Sequence, residues 1–233
     1  MCAVIGAVIR NPSSKDLEGL RRVFLESKIR GMHATGVSYI KDNRIITDKR
    51  PVPADQFPFD FKNYINEDGT LYLVGHCRYS TSDLEFNQPI SNGNTSVVHN
   101  GVITQELPEK WSELYGYVCE TKNDTELLLH TIEDGVCALE RWKDSSMSVC
   151  VLEASKKLTL FRNGKRPIYL TTLPNGCIVT STADIPKRAD LYFPTMEVPM
   201  NVQIAFDEKL TMSYNSINVV NAKDLQPNEN PRN

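Results

Sequence analysis

The chain has no CxxC pair and no HxxxH or HExxH spacing among its six cysteines and four histidines, so the common frameworks of a zinc site are missing and no metal is expected. No apolar run approaches the ~18 residues of a membrane helix, and the first residues lack the charged start and long apolar stretch of a secretory signal. Charge of one sign is also missing. The 26 Lys plus Arg against 29 Asp plus Glu leave a net charge of −3, so neither nucleic acid nor an anionic membrane is an expected partner. Without a mononucleotide loop or a dinucleotide fingerprint, no cofactor is implied. These absences predict a soluble, cytoplasmic protein with reduced thiols. Cys119, Cys137, Cys150 and Cys177 are expected to be small core residues, because free cysteine is among the most buried residue types.

What is present is a chain of 233 residues, 40% hydrophobic, long enough to bury a substantial core. Residues 2–9 (CAVIGAVI) are apolar and partly β-branched, bounded by Asn11 and Pro12, and read as a buried strand at the start of the chain. Ser13 and Asp16 form a helix start signal, and the spacing predicts a helix over 14–29. A hairpin follows at 36–40 and 44–47, then core strands at 71–78 and 95–103 with an irregular polar loop between them. A helix from Asn123, capped by Asn123 or Asp124, carries Leu127, Leu128, Ile132, Val136 and Leu139 on one stripe, with Gly135 as a mild cost inside it. Beyond Lys143 the pattern is strands, at 147–152, 157–161, 167–171, 177–182, 202–206 and 210–213. This is an α+β order rich in antiparallel pairs. The residues from Asp224 onward are polar and proline-bearing and read as a frayed tail.

A cysteine directly after the initiator methionine becomes the first residue when Met1 is removed, which puts a thiol and a free α-amine on one residue. An α-amino group has an ordinary pKa of ~7.7–8.0, so it can take the thiol proton and later protonate a leaving amine. On its own, Cys2 is weak support for catalysis. Four further segments accompany it: RGMHATG at 30–36, GHCRYST at 75–81, VVHNG at 97–101 and NDTE at 123–126. Taken singly, each has a plain structural reading. Asn100-Gly101 suits a hairpin turn, Arg78 a surface ion pair, Asp124 a helix cap and Arg30 a charge near a helix C-terminus.

Together, in order and spacing, the segments resemble the glutaminase domains of the class II glutamine amidotransferases, and MCAVIG looks like their MCGIVG. That family includes glucosamine-6-phosphate synthase, amidophosphoribosyltransferase, glutamate synthase and asparagine synthetase. The resemblance spans roughly residues 2–185. It implies a four-layered αββα fold of the N-terminal-nucleophile type, two antiparallel sheets face to face with helices outside, in a single domain over 2–223. It also implies roles: Cys2 as nucleophile toward the side-chain amide of L-glutamine, and Asn100 and Gly101 as oxyanion donors. Arg78 with Thr81 would receive the α-carboxylate, Asp124 the α-ammonium, and Arg30 would order the surroundings of the nucleophile. His99 is expected to pack or hydrogen-bond rather than act as general base, and His33, His76 and His130 to be structural.

Two departures from the pattern stand out. Ala3 replaces a usual glycine, and Ser82 follows Tyr79-Ser80-Thr81 where aminosugar synthases carry histidine; with the later Asn87-Gln88-Pro89, that segment looks more like amidophosphoribosyltransferase. No motif of an ammonia-accepting synthase follows, so the expectation is a glutaminase subunit that passes ammonia to a separate synthase chain. Two other readings keep the pocket. One is an N-terminal-nucleophile amidohydrolase acting on another amide, against which the Arg78 and Asp124 pair argues. The other is a non-catalytic glutamine-binding regulatory module, hinted at by Ala3 and Ser82.

Overall fold

The computed structural model describes residues 2–80, 86–164 and 166–219. Strand β1 (Ala3–Arg10) is buried from Ala3 through Ile9, as its unbroken apolar run demands. Its odd residues face one layer and its even residues another. Helix α1 (Ser14–Ser27) opens with a capping box, Ser13 Oγ accepting the Asp16 N–H and the Asp16 carboxylate accepting the Ser13 N–H. It ends slightly before the expected residue 29, tightening into a 3-10 turn over Lys28–Arg30. Strands β2 (Ala34–Lys41) and β3 (Arg44–Arg50) form the expected hairpin, and β4 (Thr70–Arg78) lies between β1 and β2.

In the second half, β5 (Ile90–Ser91) and β6 (Thr95–Val102) precede α2 (Trp111–Tyr115), α3 (Thr125–Glu133) and α4 (Ala138–Arg141). Strands β7 (Ser146–Glu153), β8 (Lys157–Arg162), β9 (Tyr169–Leu173) and β10 (Gly176–Thr180) come next. Helix α5 (Asp184–Arg188), β11 (Thr195–Glu197), β12 (Val202–Phe206) and β13 (Met212–Ser216) complete the described chain. One antiparallel sheet has the order β11-β9-β10-β1-β4-β2-β3, the other β13-β12-β8-β7-β6-β5. They pack face to face through Val4, Val8, Val74, Val98, Leu152, Leu160 and Ile204. Leu20, Val23 and Phe24 of α1 cover the outer face of the first sheet, and Leu127, Leu128, Leu139 and Trp142 cover that of the second. The four layers match the expected α+β, αββα sandwich.

Several local expectations need correction. The stripe from Asn123 to Leu139 is two helices, because Gly135 adopts φ +69° and ends α3. A left-handed residue terminates a helix and frees its last carbonyls for turn bonds, so this glycine is a stop and not a cost borne inside one helix. Asp124 occupies the cap position without capping; its Oδ2 accepts the Ile103 N–H at 2.7 Å, while Asn123 Oδ1 accepts the Thr125 N–H. Cys150 and Cys177 are buried between the sheets, but Cys119 and Cys137 are only half-buried at the margin of the helical layer. The short elements α2, α5, β5 and β11 carry too few periodic residues to be read from the sequence. Thr81, Ser82 and the tail at 224–233 lie outside the described residues.

Candidate active site

Cys2 immediately precedes β1, and Asn100 stands near the end of β6 in the facing sheet. Both belong to the even-numbered faces that look into the space between the sheets, so 98 residues of sequence separation collapse to one hydrogen bond. The Cys2 backbone nitrogen donates to Asn100 Oδ1 at 3.2 Å. That bond fixes the orientation of the Asn100 amide and turns its Nδ2 the other way. Asn100 is 4% exposed, and among the described residues Nδ2 has no hydrogen-bond partner. A buried donor left unmet costs stability, so this one calls for an explanation.

Gly101 follows at φ +149°, and a Cβ there would overlap the Ser146 carbonyl oxygen of β7. Only glycine lets β6 approach β7 this closely while turning its backbone at the cleft. Arg30, from the turn after α1, donates through Nε to the Cys2 carbonyl at 3.1 Å. Burial draws its guanidinium below the ordinary arginine pKa, partly opposed by Cys2. Arg78 ends β4 and donates through Nη1 to the Phe86 carbonyl and to Asn87 Oδ1, both at 2.8 Å. These bonds aim the guanidinium at the cleft. The Ala3 methyl packs under α1, on the sheet face opposite Cys2, so this departure adds bulk to the core and not to the pocket.

Cys2, Arg78, His99, Gly101, Lys122 and Asp124 line a common cleft of about 470 Å³. Of the residues singled out in the sequence, Cys2, Arg30, Arg78, Asn100, Gly101 and Asp124 are thus gathered at one end of the sandwich; Thr81 is not among the described residues. Residues to which the sequence reading gave no part in the site hold them in place. Gln88 Oε1 accepts the His99 N–H at 2.6 Å, and Asn123 Nδ2 donates to the Phe86 carbonyl that also receives Arg78. The Asn87-Gln88-Pro89 segment, noticed only as a point of likeness, is therefore part of the frame. His33 Nδ1 accepts the Ser80 N–H and its ring lies on Tyr79, a structural use. Cys119, Glu126 and His130 place ligand-type atoms near one another, but both Glu126 oxygens already accept hydrogen bonds from Glu120 and Thr121.

This fold, with a thiol at the head of a central strand and an asparagine amide facing it, defines a class II glutamine amidotransferase domain. The sequence profile described as "Glutamine amidotransferase domain" matches residues 58–218, well over half of the chain, and the chain belongs to that family. Glutamine–fructose-6-phosphate aminotransferase (isomerizing) of Sulfurisphaera tokodaii is 29% identical over 190 residues, covering 77% of this chain and 31% of that protein. The enzyme of the same name from Vibrio vulnificus is 32% identical over 138 residues, covering 57% of this chain and 22% of that protein. Among solved structures, the glutamine phosphoribosylpyrophosphate amidotransferase of B. subtilis superposes with a TM-score of 0.70 at 18% identity, over 94% of this chain and 50% of that one. A structure described as the allosteric regulatory enzyme of purine biosynthesis gives 0.72 at 19% identity with the same coverage. The chain therefore spans about a third or less of these curated relatives and half of these solved chains. No helix among the described residues is long and apolar enough to cross a membrane.

Proposed function

We propose that this domain hydrolyses L-glutamine to L-glutamate and ammonia through a glutamyl thioester on Cys2. Removal of Met1 frees the α-amine of Cys2, which takes the thiol proton as Sγ attacks the side-chain amide carbon and returns it to the departing ammonia. The tetrahedral oxyanion is held by Asn100 Nδ2 and the Gly101 backbone N–H. Water then cleaves the thioester and releases glutamate. Arg78 and the Thr81 hydroxyl bind the α-carboxylate, Asp124 binds the α-ammonium, and Arg30 fixes the Cys2 carbonyl, and with it the entry of the chain into β1. The single observation that carries this reading is the Asn100 amide, bonded through Oδ1 to the Cys2 nitrogen with its buried Nδ2 unmet.

The ammonia serves a separate acceptor synthase in the cytoplasm, and residues 2–223 act as one domain. Relatives named for the amination of fructose 6-phosphate and of phosphoribosylpyrophosphate support the pairing of glutaminase and acceptor without choosing the acceptor. Intact-mass measurement after incubation with an electrophilic glutamine analogue, together with glutamate release, tests the reading. The expected result is loss of Met1 and one adduct on Cys2 that abolishes release. Retained Met1, or no adduct and no glutamate even with an ammonia-accepting partner present, overturns it.

A further inference from the structure

His99 is 2% exposed, and its ring bridges the second sheet and the start of α3. Its tautomer follows from the groups around it. The Asn123 amide is oriented by two bonds: Nδ2 donates to the Phe86 carbonyl at 2.9 Å, and Oδ1 accepts the Thr125 N–H at 3.1 Å. Thr125 Oγ1 lies 2.6 Å from that same Oδ1, an atom that can only accept, so the hydroxyl proton is committed there. His99 Nδ1 lies 2.7 Å from Thr125 Oγ1, which now has only lone pairs to offer, while the Gln88 amide nitrogen stands 3.5 Å from Nδ1, beyond the range of a good hydrogen bond. Nδ1 therefore carries the proton. Burial holds the ring below its ordinary pKa against the opposite pull of Asp124 and of the Gly101 backbone, and with the proton on Nδ1 the Nε2 lone pair is left as an acceptor.

That bare nitrogen faces Asp124. Nε2 lies 3.7 Å from Asp124 Oδ1, and among the described residues it has no hydrogen-bond partner. The other Asp124 oxygen is occupied by the Ile103 N–H, so Oδ1 is the oxygen turned to the histidine. Two acceptors facing each other across 3.7 Å repel, and the gap is too long for one hydrogen bond yet short enough for a single nitrogen to reach both. His99, Asp124 and Gly101 all line the cleft that holds Cys2. A group with several N–H donors and positive charge satisfies this arrangement.

We infer that His99 is a substrate-binding residue, its Nε2 lone pair sharing the α-ammonium of glutamine with the Asp124 carboxylate, so that the domain selects amides bearing a free α-amine. This rests on the proposed glutaminase reading. It assigns the histidine of VVHNG to specificity, and the Asn123-Thr125 pair to setting its tautomer.

The test is calorimetric binding in a Cys2→Ala background, which prevents turnover, with L-glutamine and with glutaramate, the same molecule without its α-amine. His99→Asn keeps a donor toward Thr125 but puts nothing at Nε2, and His99→Gln puts an amide oxygen near that position. His99→Asn is expected to weaken glutamine roughly 10- to 100-fold and to leave glutaramate unchanged, while His99→Gln recovers most of the glutamine affinity. Equal weakening of both ligands, or of neither, overturns the inference while leaving the glutaminase reading standing. Failure of the Cys2→Ala protein to bind glutamine at all overturns both. Should His99→Asn fail to fold, nitrogen NMR of the imidazole in the unsubstituted protein decides: a proton on Nε2 in the free protein sinks the inference, and a bare Nε2 that shifts on adding glutamine but not glutaramate supports it.

Discussion

A methyl group at residue 101 would have to occupy the space of the Ser146 carbonyl oxygen, and its backbone would be strained at φ +149°. Gly101→Ala is therefore expected to push β6 away from β7 and to displace the N–H proposed for the oxyanion. Asn100→Ala leaves the strand pairing intact and removes only the side-chain donor and the acceptor of the Cys2 nitrogen. Losing one oxyanion donor costs ~10²–10³ in turnover, so Asn100→Ala should lower kcat by about that factor with little change in KM. Gly101→Ala should lose as much and also reduce the urea midpoint. Steady-state glutamate release and urea titration on both variants distinguish a donor that acts in the transition state from a residue that merely packs. An Asn100→Ala enzyme with unaltered kcat would remove Asn100 from the mechanism.

At the scale of elements, helix α3 positions Asp124 through a carboxylate that the sequence marks only as the end of NDTE. Glu126 is 5% exposed, and its two oxygens accept the Glu120 and Thr121 N–H groups and the Thr121 hydroxyl at 2.6–2.7 Å. It fastens the loop leading into α3, and its charge in the first turn suits the helix dipole. Glu126→Ala leaves two N–H groups unmet and is expected to cost about 2 kcal/mol in urea unfolding. Because Lys122, Asn123 and Asp124 hang from the same loop, KM for glutamine should rise more than kcat falls. An unchanged KM would separate the loop from the substrate pocket. The long elements β1, α1, β4, β6 and β7 were legible because each repeats its apolar pattern over many residues. The break at Gly135 was not, since glycine is tolerated inside a helix at modest cost and only its φ reveals a stop.

For the whole molecule, the space between the sheets holds a second buried histidine. His76 is 1% exposed, and burial, with His99 and Arg78 adding, pushes its pKa down to about 3. It is neutral when folded, whereas in the unfolded chain it titrates near the ordinary ~6.5. Between these values the unfolded state binds the extra proton, so stability is full above pH ~6.5 and falls as the pH drops toward 3. The slope from this one group approaches about 1.4 kcal/mol per pH unit, and His99, also lowered, adds to it. Urea midpoints should therefore fall from about pH 7.5 to about pH 5, and the fall should be shallower in His76→Leu. An identical pH dependence in the variant would place the acid sensitivity elsewhere.

The sequence by itself determined the α+β order and its antiparallel strands, and the resemblance carried by its motifs supplied the expected sandwich and site residues. Patterning makes both faces of β1 apolar, which calls for a layer on each side, and the motifs mark Cys2, Arg30, Arg78, Asn100, Gly101 and Asp124 as candidates without any contact being known. Only the tertiary structure decided how these groups are poised. The bond from the Cys2 nitrogen to Asn100 joins strands of opposite sheets, and the chain from Asn123 through Thr125 to His99 links a loop, a helix and a strand. Each of those links depends on sheet register and on the angle at which a helix meets a strand. Which lone pair is left bare is settled by the whole hydrogen-bond network at once, because every donor in it can be used only where a neighbour still has an acceptor to offer.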